Sequence, residues 1–247
     1  AARKIMPVTL ELGGKSPNIV FEDSDIDAAV MGVISGIFAA TGQTCIAGSR
    51  LLVQKSIHDM FVKRLIEVAS QAKIGDPMSL ETHVGPVTTE PQYNKILDYI
   101  EIAKADGAKC VLGGKPYVGV GSNGNRFIEP TIFTEVSNDM RIAQEEVFGP
   151  FSLLVKCKDL KEIEQLVLHL KGQLTGAIFA PATDLEYIHP LIQAFKSKVG
   201  RLLLNDVPTG VEVTTAMTHG GPYPAASDSR FTAVGPASIY RWLRPIT

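Results

Sequence analysis

The amino-acid sequence predicts an α/β fold: a mostly parallel open sheet flanked by helices. Two observations predict it. Short apolar runs rich in β-branched residues alternate with longer helical stretches along the chain, which is the pattern of repeated strand–helix–strand units. Helical stretches also fill most of the gaps between the runs, as the crossovers of a parallel sheet require. No internal repeat, low-complexity tract or interdomain linker interrupts the pattern. A single domain over residues 1–247 follows, long enough to bury a substantial core.

The elements follow in order. Val8–Leu12 reads as a strand that ends at the double glycine Gly13-Gly14, and Asn18–Phe21 as a second. A helix from Ile26 to Ala40 follows Asp23, Ser24 and Asp25; any of the three can cap its free N–H groups, with acids at the positive end of the helix dipole. The strand Arg50–Gln54 precedes helices near Ile57–Ala72 and Pro91–Ala105. Strands are then expected at Lys109–Leu112, Thr131–Glu135 and Phe151–Cys157, and a helix over Leu160–Leu170. The strand Gly176–Ala180, the helix Asp184–Phe195 and the strand Arg201–Asn205 complete the pattern. Glycine and proline cluster at Gly113–Gly124 and from Pro208 to Pro236. Long irregular stretches of this kind in a compact domain are often functional.

Composition excludes several classes. The chain is 45% hydrophobic and 20% charged with a net charge of −2, so it offers no general attraction for nucleic acid phosphates. No apolar run approaches the roughly 20 residues that cross a bilayer. Cys45, Cys110 and Cys157 are odd in number and widely spaced, against a disulfide framework or a metal site. The opening AARKIMPVTLEL lacks the apolar core and cleavage site of a secretory signal. A reducing, cytoplasmic setting is expected. No GxxxxGK[ST] phosphate loop occurs.

Two motifs carry chemistry. Cys45 lies in Thr41-Gly42-Gln43-Thr44-Cys45-Ile46-Ala47-Gly48-Ser49-Arg50, between an expected helix and an expected strand. A thiolate that is accessible and stabilised in such a polar turn is a nucleophile. Cys110 and Cys157 sit in strand-like apolar runs and read as small buried hydrophobes. Glu11 stands between two leucines just before Gly13-Gly14-Lys15-Ser16-Pro17. If both leucines face a core, the carboxylate points the other way, into a cleft where partial burial raises its pKa toward that of a general base.

Glu11 and Cys45 stand 34 residues apart, and the two motifs at this spacing resemble the paired active-site signatures of the aldehyde dehydrogenase superfamily. Gln144-Glu145-Glu146-Val147-Phe148-Gly149-Pro150 is similar to that family's cofactor-contacting segment. The resemblance implies that Glu146 binds the nicotinamide ribose and that Phe148 packs near the nicotinamide. Gln92 and Lys95 fall where related enzymes touch the cofactor's ribose. It further implies that Cys45 attacks an aldehyde, that hydride passes to NAD or NADP, and that Glu11 activates the water that releases the carboxylic acid. Thr44, Ile46 and His219 are expected to line the substrate tunnel, and Asp228 and Arg230 to form a local ion pair. No metal is implied, and the family's members assemble as homo-dimers or homo-tetramers.

The chain also departs from the family pattern. It starts just upstream of the glutamate motif, so it is expected to be an isolated catalytic domain, without the N-terminal cofactor-binding domain and with the cofactor held only weakly. Little redox activity is then expected of the fragment, and thiol esterase activity or an inactive folding module are the alternatives. Residues 8 to about 157 resemble classical aldehyde dehydrogenases. From about 172 onward, stretches such as His219-Gly220-Gly221-Pro222-Tyr223-Pro224 look like the branch that contains α-ketoglutarate semialdehyde and fatty aldehyde dehydrogenases. A chimera with a junction between Cys157 and Gly172 is the expectation.

Overall fold

A strand covered by helices on both faces reads as a short, continuous apolar run, and the first strand of the sheet, β1 (Pro17–Val20), is buried along its whole length. In the computed structural model, which describes residues 1–119, 126–210, 212–244 and 246, it is joined by β2 (Arg50–Gln54), β3 (Lys109–Leu112), β4 (Thr131–Thr134), β5 (Phe151–Cys157), β6 (Gln173–Phe179) and β7 (Val199–Leu204). The part of the Gly113–Gly124 loop beyond residue 119, and positions 211, 245 and 247, lie outside the described residues. The strand order is β3-β4-β5-β2-β1-β6-β7. Among the described pairings of these seven strands, only β3–β4 is antiparallel.

Successive side chains of a strand point to opposite faces, and here the alternation divides the core in two. Val20, Leu51, Val53, Leu154 and Ala177 pack against α1 (Ile26–Phe38) and α2 (His58–Ala69) through Val30, Val33, Ile37, Phe61 and Leu65. Ile19, Leu52, Leu153, Val155 and Ile178 face the other way. They meet Ile96 and Ile100 of α3 (Glu90–Ala105), Ile142 of α4 (Arg141–Gln144), Ile163 and Val167 of α5 (Leu160–Leu168), and Leu191 and Phe195 of α6 (His189–Phe195). The Asp25 side chain is the one that caps α1, accepting from the Ala28 N–H at 3.0 Å. No helix among the described residues is long and apolar enough to cross a membrane.

The order of the strands explains where the site forms. β5, β2, β1 and β6 lie side by side and parallel, so the segments entering them gather at one edge of the sheet. Those segments carry Glu11, Cys45, Glu146 with Phe148, and Gln173. Open α/β sheets usually bind ligands beyond the carboxyl ends of their strands; here the candidate residues lie at the amino ends.

The structure corrects several expectations. Val8–Leu12 is not a strand: its one bridge is Glu11 to Ala226, because the partner segment is an irregular loop and not an extended run. Leu10 and Leu12 are 47% and 54% exposed, so the leucines face outward while Glu11 turns inward. β6 starts at Gln173, three residues earlier than expected, and β7 at Val199. The last long helix is shorter than expected: Asp184 ends a short 3-10 helix, residues 185–188 form turns, and α6 begins at His189.

Candidate active site

The glutamate segment is held by its backbone to an irregular loop. Leu12 donates its N–H to Ala225 O at 2.7 Å and Ser227 donates to Leu10 O at 2.9 Å, clamping the Glu11 arm to the irregular segment that follows β7. Gly13 adopts φ +77°, where an L side chain is strained. A Cβ there would lie 2.5 Å from Glu146 Oε1, and one on Gly14 would lie 2.3 Å from Gln173 Oε1. The double glycine thus lets two side chains from other loops press onto this backbone: the Gly14 N–H donates to Glu146 Oε1 and the Lys15 N–H to Gln173 Oε1. Buried Arg50 at the start of β2 donates to the Lys15 carbonyl and to Asn138 Oδ1, bracing the two motifs against each other.

The cysteine loop begins where α1 breaks. Ala40, Thr41 and Gly42 all have positive φ (50°, 58° and 68°), a sequence of conformations that costs on the order of 1–2 kcal/mol at each non-glycine residue. Partners elsewhere offset the strain. The Thr41 hydroxyl accepts the Gly85 N–H and donates to the Gly85 carbonyl, both at 3.2 Å. The reversal delivers Cys45 into a half-buried turn backed by Ile46, Leu174 and Ala225. Ile46 is 3% exposed, so it packs beneath the nucleophile and does not line an open tunnel.

His219 is where the structure adds most to the sequence reading. Its Nε2 lies 3.6 Å from Cys45 Sγ, in hydrogen-bonding geometry, and 3.2 Å from Glu11 Oε2. That carboxylate oxygen is buried and makes no aligned hydrogen bond, so the ring nitrogen is directed at sulfur and Glu11 flanks it as a charge. The Asp228–Arg230 ion pair expected from sequence is present at 2.6 Å.

Burial decides the electrostatics. Glu11 is pushed above the usual carboxylate range by burial, opposed by Arg241. Cys45 is pushed up by burial and by the Glu11 and Glu146 charges, against the backbone N–H groups of Cys45 and Ile46. The turn therefore does not hold a resting thiolate, contrary to the sequence expectation. Burial and then Arg201 push His219 below its ordinary value, which favours the neutral ring.

Glu146 and Phe148 share a small cleft with Gly14 and Thr44. Burial raises Glu146, while the Gly14 N–H and Lys95 and Lys15 draw it down. Phe148 has φ +59°. The Gln92 amide holds that turn, donating to the Val147 and Phe148 carbonyls at 2.8 Å each, so its N–H groups point at backbone here. Lys95 lies on the same helix, its Nζ 5.7 Å from the Tyr99 ring centroid. The cleft holds about 10 Å³, roughly the least that admits one water, and its walls must part before any ring enters. A cavity of about 590 Å³ runs along β7 past Arg201, Asp206, Glu212 and Met217, and does not include Cys45.

Sequence reasoning passed over Lys15. It is fully buried, its Nζ lies 5.2 Å from the Phe151 ring centroid without a hydrogen bond, and burial lowers its pKa to about 7. Between about pH 7 and 10.5 the unfolded chain holds the proton that folded Lys15 has lost, so stability rises with pH across that window. Below it both states are charged and the burial cost is complete. Lys15→Met is expected to stabilise the protein by on the order of 2–4 kcal/mol below neutral pH, with the gain fading toward pH 10.5. Denaturant unfolding of both proteins at several pH values checks this.

The fold and the edge cluster define the class: a mostly parallel α/β domain in which a half-buried cysteine and a half-buried glutamate meet one histidine nitrogen. The chain belongs to the aldehyde dehydrogenase family, which it matches over residues 1–224. It is 46% identical over 177 residues to aldehyde dehydrogenase 1A1 of Oryctolagus cuniculus, covering 72% of this chain and 35% of that protein. It is 42% identical over 192 residues to betaine aldehyde dehydrogenase of Mesorhizobium japonicum, covering 78% and 39%. The structure of Staphylococcus aureus betaine aldehyde dehydrogenase in complex with NAD+ superposes with a TM-score of 0.88 at 33% identity, over 98% of this chain and 46% of that one. An apo variant of that enzyme, with a BME-modified cysteine, gives 0.88 at 34% identity over the same shares. The chain thus spans less than half the length of these relatives.

Proposed function

We propose that this chain supplies the nucleophile and base of an NAD-linked dehydrogenase that oxidises an aldehyde to a carboxylic acid. The observation that carries the reading is the meeting of Cys45 Sγ and Glu11 Oε2 at one ring nitrogen of His219, on the sheet edge that also bears Glu146 and Phe148. A carboxylate and an aromatic ring beside Thr44 suit the hydroxyls and the flat ring of a nicotinamide riboside. The related enzyme that binds NAD+ and the variant with a modified cysteine support the same assignment. We also read the sequence as joining two lineages between Cys157 and Gly172, and the parent protein as a homo-oligomer.

In this reading Cys45 sulfur adds to the aldehyde carbon. The developing oxyanion lies near the backbone N–H groups of Cys45 and Ile46, donors aimed where charge forms. A bound nicotinamide dinucleotide supplies the hydride acceptor. Glu11 then takes a proton from water as the water attacks the thioester left on Cys45, releasing the acid. Glu146 and Phe148 orient the acceptor, and the Gly14 N–H keeps Glu146 in place.

The test is aldehyde-dependent reduction of NAD by this sequence placed behind a family cofactor-binding domain. Cys45→Ala is expected to lower that rate by at least about 10⁴-fold, with an unchanged circular dichroism spectrum. A Cys45→Ala protein that retains the wild-type rate removes the assignment. A second reading, hydrolysis of activated esters without nicotinamide, is favoured because nucleophile, imidazole and carboxylate all stand in this one chain. It predicts ester turnover that ignores added NAD.

A further inference from the structure

We propose that Lys15 is a carboxylation site: its ε-amine adds to carbon dioxide in the cavity that it lines with Arg50 and Glu146, and a carbamate forms. This goes beyond the dehydrogenase reading and does not depend on it. The cavity measures about 70 Å³ and is also lined by Lys171. That is several times what one water needs, with room for a triatomic molecule but not for an extended one. Lys15 and Arg50 are each only 1% exposed. Lys15 Nζ has no hydrogen-bond partner among the described residues. An unpaired buried ammonium is costly, so the amine is held neutral and nucleophilic. Burial first and then Arg50 lower Lys15 to about 7, which leaves the free base well populated at neutral pH.

Charge selects the electrophile. An aldehyde would leave an iminium on Lys15, a buried cation beside Arg50. Carbon dioxide leaves an anion, and the surrounding groups suit one. Arg50 directs Nε and Nη2 at the Lys15 carbonyl and Nη1 at Asn138 Oδ1, so an N–H on each terminal nitrogen is left over. Lys171, on the exposed side, is a second cation. The charged groups that face Lys15 are Arg50 from β2, Glu146 from the segment before β5 and Lys95 from α3. Glu146 is the one that opposes an anion.

The proton balance removes that opposition. An N–C bond forms between Nζ and the carbon, one C=O π pair moves to oxygen, and the proton that nitrogen sheds goes to Glu146 Oε2. Burial raises Glu146, which suits it to hold the proton, while Oε1 goes on accepting the Gly14 N–H at 3.2 Å. The cavity exchanges the Glu146 charge for one on Lys15, nothing is oxidised or reduced, and the carboxylate read above as orienting the cofactor becomes neutral.

The experiment is ¹³C NMR of the chain as it stands, with ¹⁵N at the lysine ε-amines, equilibrated with ¹³C-bicarbonate near neutral pH. A carbamate on lysine gives a ¹³C resonance split by its ¹⁵N neighbour, and one on the Ala1 amine gives an unsplit line. Exposed lysines are protonated at this pH and do not react. The expected result is a split resonance in wild type that is lost in Lys15→Met and in Lys15→Leu, with circular dichroism checking that each variant folds. Guanidinium chloride is expected to abolish it in wild type. Absence of a split resonance from folded wild type overturns the proposal, as does one that persists in either folded variant. If neither variant folds, a split resonance that survives unfolding of wild type overturns it. The readout uses neither aldehyde, NAD nor Cys45, so its failure and that of the dehydrogenase reading are distinct.

Discussion

In Glu11→Gln, an acetyl group delivered by an activated ester stays on Cys45. The substitution keeps shape and removes the base, so attack by sulfur proceeds while attack by water slows by about 10²–10⁴-fold, the usual worth of a positioned general base. A burst of alcohol release followed by almost no turnover is the expected trace, with the thioester visible by mass spectrometry. Since burial raises Glu11 and only its ionised form accepts a proton, wild-type deacylation rises with pH through that raised pKa. The Gln variant lacks the rise. Steady turnover at the wild-type rate in Glu11→Gln would assign water activation to another group.

Gly42→Ala carries the largest expected stability cost. The position has φ +68°, and a Cβ would lie 1.9 Å from the Gly149 carbonyl oxygen and 2.8 Å from the Pro150 nitrogen. Both neighbours are backbone, so a whole segment must move. Left-handed alanine alone costs roughly 1–2 kcal/mol, and relieving the overlap brings the expected loss to at least about 3 kcal/mol by denaturant titration. The contact joins the cysteine loop to the Glu146–Phe148 segment, so surviving folded protein is expected to react more slowly at Cys45. Gly107 provides the reference: φ +92° with nothing within 4 Å of a Cβ, so Gly107→Ala shows the backbone term alone. Equal losses for the two variants would mean that the Gly42–Gly149 approach contributes nothing.

Much of the fold was legible because the central strands are apolar runs separated by helical stretches. The misses have physical causes. Gln173 and Thr175 look too polar for a central strand, yet both are buried, their side-chain oxygens satisfied by the Lys15 N–H and the Ile46 carbonyl. Leu10-Glu11-Leu12 alternates as a strand does, but it meets a loop, with the leucines outward. Motifs and spacing singled out Cys45 and Glu11, and the structure brings both side chains to His219 Nε2. The contact between Cys45 and His219 was not legible, since 174 residues separate them and an irregular segment without periodicity brings the ring in. Nor does a motif show that Gln92 spends its amide on the Val147 and Phe148 carbonyls, or that Lys15 is buried.

The central claim is that Cys45 is the atom that becomes acylated. Peptide mapping after a brief reaction of the wild-type chain with 4-nitrophenyl acetate tests it most directly. The account predicts acetyl on the peptide containing Cys45, labile to hydroxylamine as a thioester is, and unmodified Cys110 and Cys157. Ester turnover with acetyl on any other residue, or undiminished turnover in Cys45→Ala, would contradict it.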